Sequence, residues 1–202
     1  MKAFDLADNY RIPVYVLTDG VIGQMLESVT LPEPIETKKI PEWALDGTKK
    51  SRRNFLTSIY LDYDALEEVN IKLQEKYRLI SEKEQMSETY MADDAELIIT
   101  GYGIVSRLIH SVVDKLRSEG VKAGMIRPIT LFPFPVDEMR RLAKHASNFL
   151  CVEMSNGQMI DDVKLTIECS RPVHLYARMG GNIPSIDEIT RKAYEIIKAG
   201  RG

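Results

Sequence analysis

The sequence predicts an α/β protein with a mostly parallel β-sheet and helices on both faces. Two observations support this fold class. From residue 95 onward, short strands of buried type alternate with amphipathic helical segments. Each strand is followed by a turn that contains glycine or proline and then by a helix, which is the order found in parallel sheets with crossover helices.

The chain begins with less regular elements. Residues 3–10 have helical spacing without a start signal, which predicts that the true N-terminus lies further upstream. Residues 14–20 read as a strand closed by a turn, and residues 21–27 as the next helix. Residues 31–53, with prolines at 32, 34 and 41, predict a long connection.

Residues 64–91 predict one exposed amphipathic helix that links two domains or docks on a partner chain. Its apolar positions follow steps of three and four residues among many charges: Leu66, Val69, Leu73, Tyr77 and Ile80. The regular units follow, with strands predicted at 96–100, 121–126, 148–153 and 173–176. Helices are expected after each strand, ending near residues 119, 145, 168 and 199.

The composition excludes several function classes. The 202 residues carry 27 basic and 30 acidic side chains, a balance without the basic footprint of a nucleic-acid-binding protein. Two cysteines, Cys151 and Cys169, are too few for a disulfide framework or a four-thiolate cluster. No apolar run is long enough to span a membrane and no signal peptide is visible, so we expect a cytoplasmic protein without nucleic-acid or membrane partners.

Two motifs that contain glycine resemble known cofactor-binding sequences. Gly101-x-Gly103-x-x-Ser106 lies between a strand and a helix, but it lacks the third glycine of a dinucleotide fingerprint. A nicotinamide cofactor could bind here only if Arg127 bound its 2′-phosphate. We therefore favour the interpretation of the Gly101-x-Gly103 motif as a tight turn. Thr18-Asp19-Gly20 resembles the Gly-Asp-Gly of thiamine enzymes, but no asparagine follows at residues 45–48, which favours a strand-end turn.

No metal site is predicted, since the three histidines and two cysteines lack ligand spacing. The best polar group is Glu153, Asn156 and Gln158, at the strand end where open α/β sheets bind ligands. An equally good interpretation is that Asn156 caps the next helix and that Glu153 neutralises Arg127 or Arg178. Gly180-Gly181 forms either a backbone turn or a close approach to another chain.

Several stretches resemble, in order, the α subunit of 2-oxoacid:ferredoxin oxidoreductases, most closely the 2-oxoisovalerate (branched-chain) type. The most specific is Arg-Pro-Ile-Thr-Leu-Phe-Pro-Phe-Pro at 127–135, which also resembles the C-terminal domain of transketolase-like enzymes. The others are residues 1–14, 17–25, 61–62, 73–77, 124–126, 152–159 and 178–181. The resemblance begins near the end of the pyrimidine-binding domain, and the glutamate that activates thiamine diphosphate in that domain is not present.

The resemblance implies the C-terminal half of the subunit. Residues 1–60 would be the end of the pyrimidine-binding domain, 61–94 a linker helix, and 95–202 a domain like the C-terminal domain of transketolase. The family implies conversion of a 2-oxoacid and coenzyme A to acyl-CoA, CO2 and reduced ferredoxin. Thiamine diphosphate, Mg²⁺ and iron-sulfur clusters would belong to the full complex, with β, γ and iron-sulfur subunits as partners.

Within this chain the resemblance implies a structural, subunit-contact role, inactivity of the isolated chain and no catalytic residue. Arg127, Glu153, Asn156, Gly180 and Gly181 are candidates for a subunit interface or the approach of coenzyme A. The alternative is a non-catalytic α/β module that binds an anion or docks a protein.

Overall fold

The computed structural model describes residues 2–33 and 40–200, in two units. One unit comprises the described residues up to Leu17 and from Gln24 to Ile80, and the other comprises Thr18–Gly23 and the described residues from Ser81 onward. Pro34, in the predicted connection, lies outside the described residues.

The first unit is built around two helices. Helix α1 spans Lys2–Tyr10, as predicted, and helix α2 spans Tyr63–Lys83, with its residues up to Ile80 in this unit. The described parts of 31–53 contain no helix or strand before a 3₁₀ helix at Lys50–Asn54, which agrees with the predicted connection. Arg11 stacks on Trp43, with the guanidinium carbon 5.3 Å from the ring centroid, and this contact joins the end of α1 to the connection.

Two predictions for this region are wrong. Residues 14–17 form no strand, and residues 21–27 contain a single 3₁₀ turn, Ile22–Gln24, in place of a helix. An isolated strand leaves its backbone N–H and C=O groups unpaired, and residues 14–17 pair with no other strand among the described residues. Tyr15, Val16 and Leu17 are therefore left exposed.

The second unit contains a five-stranded sheet in the order β1-β3-β2-β4-β5. The strands are β1 Ser87–Tyr90, β2 Leu97–Thr100, β3 Ala123–Pro128, β4 Asn148–Glu153 and β5 Val173–Ala177. Strands β2 to β5 are parallel, which confirms the predicted fold class, and β1 pairs antiparallel with β3. The predicted helix over 64–91 is wrong at its end, because residues after Lys83 turn back to form this edge strand.

Four helices cover the two faces of the sheet: α3 Ile104–Ser118, α4 Val136–Ala143, α5 Met159–Thr166 and α6 Ile186–Ala199. Successive side chains of each strand point to opposite faces of the sheet. Leu97 and Ile99 join the buried cluster with α3 and α6, whereas Ile98 joins the cluster with α4 and α5. The unit is thus a three-layer sandwich with two buried cores.

We expect Gly124→Ala to destabilise this unit by about 1–3 kcal/mol, because it overpacks the edge of a core. A Cβ on Gly124 would lie 2.5 Å from the carbonyl oxygen of Met91 and 2.7 Å from Cα of Ala92, both backbone atoms. Urea unfolding measures the effect. Gly23→Ala is the control, because nothing lies within 4 Å of its Cβ position, and equal midpoints for the two variants would contradict the prediction.

Candidate functional site at the carboxyl edge of the sheet

The strand order creates a switch point between β2 and β4. The chain leaves β2 toward α3 on one face of the sheet and leaves β4 toward α5 on the other face. Adjacent loops that diverge in this way open a crevice outside the carboxyl ends of the strands, where open α/β sheets bind ligands. The loops at this crevice contain residues 101–103 and 154–158.

Glu153, the last residue of β4, is buried and acts as the cap of α5. One of its oxygens, Oε2, accepts hydrogen bonds from the Ser155 hydroxyl at 2.7 Å and from the backbone N–H groups of Gln158 and Met159 at 3.0 and 3.1 Å. Its Oε1 accepts from the N–H of Ile160 at 2.9 Å. Four donors and the positive end of the helix dipole satisfy this carboxylate, so its observed role is structural.

Both parts of the capping interpretation made from the sequence are wrong. Asn156 is exposed and does not cap α5, because the carboxylate of Glu153 already holds those N–H groups. Glu153 forms no ion pair with either arginine: Arg127 pairs with Glu88 and Arg178 pairs with Glu188, each at 3.0 Å. The register explains the first pair, because Glu88 of β1 lies directly opposite the arginine in β3.

The five candidate residues share the carboxyl edge but do not form one cluster. Glu153 and Asn156 lie in the loop after β4, and Gly180 and Gly181 follow the neighbouring strand β5. The two glycines have φ angles of 66° and 85°, and nothing lies within 4 Å of either Cβ position. Arg127 is two strands away from β4, because β2 separates β3 from β4.

Two residues at this edge were not among the predicted site residues. Asp19 of the segment 18–23 lies against the N-terminus of α3, where it accepts a hydrogen bond from Ile104 N–H at 2.7 Å. No sequence signal predicts a contact between residues so far apart in the chain. Thr100, at the end of β2, is fully buried and its hydroxyl has no hydrogen-bond partner.

The pKa values of Tyr102 and Cys151, near the crevice, are raised, which favours the neutral form of each side chain. Burial raises the pKa of the Tyr102 phenol, and the nearby charges of Glu153 and Asp162 raise it further. Burial, followed by the charge of Glu153, also raises the pKa of the Cys151 thiol. Cys151 belongs to a buried apolar cluster, and its thiol is held in the unreactive protonated form.

Within residues 2–33 and 40–200, no group of three His, Cys, Asp or Glu side chains is arranged to hold a metal ion. Thr18-Asp19-Gly20 does not fit a metal-diphosphate site, because both oxygens of Asp19 are used by backbone N–H groups. In the same described residues, no helix combines the length and apolar character needed to cross a membrane.

The fold and its carboxyl edge define a doubly wound α/β domain whose polar loop residues are engaged mainly with its own backbone. Residues 95–189 match the family described as Pyruvate:ferredoxin oxidoreductase core domain II. The chain as a whole is a homologue of the subunits of 2-oxoacid oxidoreductases.

Two curated relatives and one solved structure are similar to this chain. The chain is 48% identical over 97% of its length to Ketoisovalerate oxidoreductase subunit VorB of Methanothermobacter marburgensis, and it covers 56% of that protein. It is 30% identical over 95% of its length to 2-oxoglutarate synthase subunit KorA of the same organism, and it covers 58% of that protein. The chain therefore spans about half the length of the curated relatives it matches.

The solved structure is a 2-oxoglutarate:ferredoxin oxidoreductase from Magnetococcus marinus with 2-oxoglutarate, coenzyme A and succinyl-CoA bound. The likeness has a TM-score of 0.56 at 17% identity and covers 67% of this chain and 24% of that chain. This similarity supports the predicted fold.

Proposed function

We propose that this chain is part of a thiamine diphosphate-dependent 2-oxoisovalerate:ferredoxin oxidoreductase. The complex would convert the 2-oxoacid and coenzyme A to acyl-CoA, CO2 and reduced ferredoxin in the cytoplasm. The observation that supports it most is the 48% identity, over 97% of the chain, to a ketoisovalerate oxidoreductase subunit. Thiamine diphosphate, Mg²⁺ and iron-sulfur clusters would be held by the other parts of the complex, including the β, γ and iron-sulfur subunits.

In this proposal the chain is a scaffold that contacts other subunits. The first unit supports such a role because it has almost no interior: in the described residues 2–80, only Ser51 and Ile80 are buried. Large apolar side chains are exposed along it, including Leu26 at 100% and Leu61 at 90%. Apolar surface of this extent favours cover by another polypeptide surface.

The second unit exposes its apolar side chains mainly at one edge. Of its eight exposed large apolar residues among those described, six lie in the loops after β2, β3 and β5, at the carboxyl edge. They are Tyr102, Ile129, Leu131, Phe132, Met179 and Ile183. The other two, Met91 and Leu165, lie elsewhere. We therefore assign the carboxyl edge, with Arg127, Gly180 and Gly181, to the subunit interface or to the approach of coenzyme A.

The isolated chain is expected to show no turnover. Cofactors carry the carbanion chemistry of thiamine enzymes, and the two carboxylates at the crevice, those of Asp19 and Glu153, already serve as helix caps. The assay combines the chain with 2-oxoisovalerate, coenzyme A, thiamine diphosphate, Mg²⁺ and a viologen dye. The matched control is the purified complex under the same conditions, and dye reduction by the isolated chain would refute the scaffold role.

We expect Arg127→Glu to weaken assembly of the complex, because it reverses a charge at the proposed interface and places two carboxylates opposite each other across β1 and β3. Binding of the variant to the other subunits is measured by co-purification at several salt concentrations. Lys192→Glu is the control, since it changes the same charge on α6. Unchanged assembly and acyl-CoA formation with Arg127→Glu would remove this residue from the interface.

The alternative of an anion-binding module has less support. Backbone N–H groups at the N-termini of α3 and α5 are already hydrogen-bonded to carboxylates, those of Asp19 and Glu153. A phosphate at either helix would have to displace a negative charge. The nicotinamide alternative also requires a free Arg127, whose guanidinium is paired with Glu88.

A further inference from the structure

The Gly101-x-Gly103 turn between β2 and α3 receives a side chain from the distant segment 18–23. The Asp19 carboxylate joins two stretches of backbone: its Oδ2 accepts from Ile104 N–H at 2.7 Å, and its Oδ1 accepts from Ile22 N–H at 2.8 Å and Val21 N–H at 3.1 Å. One carboxylate therefore closes its own turn and caps a 15-residue helix.

The geometry of the turn matches this occupant. Gly103 has a φ of 63°, and a Cβ at this position would collide with Oδ2 of Asp19. At Gly101, a Cβ would lie 2.7 Å from side-chain atoms of Val105 and Ile109 and 3.1 Å from the carbonyl oxygen of Val152. Gly101 is thus explained by packing between α3 and β4, whereas Gly103 is explained by the approach of the carboxylate.

We propose that this turn is a docking site for the Asp19 carboxylate and that Asp19 acts as a latch that holds residues 18–23, within the second unit, at the N-terminus of α3. In the segment 18–23 no residue is fully buried, and Val21 and Ile22 are half-buried, so we expect the Asp19 hydrogen bond to α3 to contribute to holding it. The latch also gives the glycine motif a role other than nucleotide binding, because a phosphate and a carboxylate compete for the same N–H donor and repel each other.

Amide hydrogen exchange of the full chain tests the latch. Asp19→Ala is expected to speed exchange at Val21, Ile22 and Ile104 by about tenfold, the effect of losing a charge-assisted hydrogen bond. Asp19→Asn, which keeps an acceptor oxygen without the charge, is expected to fall between wild type and alanine. Exchange at Ile98 in the buried core is expected to stay unchanged, which shows that the variants fold.

Asp62→Ala is the matched control. Asp62 also caps a helix, by accepting from Ala65 N–H at 2.8 Å near the start of α2. This change is expected to affect exchange near α2 but not at Ile104. If Asp19→Ala leaves exchange at Ile104 at the wild-type rate, the latch does not exist.

Gly103→Ala and inorganic phosphate complete the test. The new Cβ is expected to expel the carboxylate from α3, so exchange rises at Ile104 while Val21 and Ile22 keep their local bonds to Asp19. Added inorganic phosphate is expected to leave exchange at Ile104 unchanged in the wild type. Protection of Ile104 by phosphate would overturn the proposal and would assign the turn to anion binding.

Discussion

Glu153→Ala is expected to lower the free energy of unfolding by about 3 kcal/mol, among the largest losses for a change of one polar side chain in this chain. Glu153 is 3% exposed and its carboxylate accepts four hydrogen bonds, two of them from the first turn of α5 and one from Gln158 directly before it. Alanine would leave the buried N–H groups of Met159 and Ile160 without this partner and would remove a negative charge from the positive end of the helix dipole.

Denaturant unfolding measures the change in the free energy of unfolding, and two further variants test its cause. Glu153→Gln keeps the shape and one acceptor oxygen, so an intermediate loss is expected. Glu168→Ala is the control, because this carboxylate is exposed and pairs with Arg140 at the surface at 2.8 Å; a change within about 0.5 kcal/mol is expected there. If the Glu153→Ala variant has the same free energy of unfolding as the wild type, the cap does not contribute to stability.

Ile129→Asp and Met179→Asp, at the carboxyl edge, are each expected to raise the dissociation constant of the chain for the other subunits by a factor of about 30 or more. Ile129 and Met179 are 50% and 53% exposed in the isolated chain and follow β3 and β5. If the edge is the proposed interface, these side chains become buried on assembly, and an aspartate in their place would be desolvated without a partner. Truncating a hot-spot residue at the centre of an interface costs about 2 kcal/mol or more, which corresponds to a factor of about 30.

The control for these variants is Leu165→Asp. Leu165 is 78% exposed near the end of α5, away from the carboxyl edge, so the same change there is expected to leave assembly unaltered. The dissociation constant of the chain for the remaining subunits is the quantity to compare. Equal weakening at Leu165 and at the two edge positions would indicate a nonspecific effect of charge and would contradict the proposed interface.

The parallel core of the fold was predictable because its signals are local. The run from Leu97 to Thr100 is buried at every position, and such continuous apolar strands are typical of sheets covered on both faces. Strand β1 was missed because its sequence, Ser-Glu-Thr-Tyr, has little apolar character and is held by pairing with residues about 35 to 41 positions later in β3. The same limit explains the wrong strand prediction at residues 14–20, since a strand depends on partners that a local pattern does not reveal.

The site residues were predicted less well, for a related reason. The sequence identified Glu153, Asn156 and Gln158 as a polar group at a strand end, but the capping interpretation of this group named Asn156 in place of Glu153. A carboxylate that reaches forward from the strand end to a helix five to seven residues later is a local arrangement that could have been considered. The contact between Asp19 and Ile104 spans 85 residues and depends on the assembled fold, so local reasoning could not supply it.

The central claim is that this chain works as a subunit part of a 2-oxoacid oxidoreductase. The most direct test purifies the native assembly through a tag on this chain and measures 2-oxoisovalerate-dependent reduction of ferredoxin. We expect the activity to co-elute with the chain, to require coenzyme A and to be absent from the chain by itself. Elution of the chain without other subunits and without ferredoxin-reducing activity, under conditions that preserve the enzyme, would contradict it.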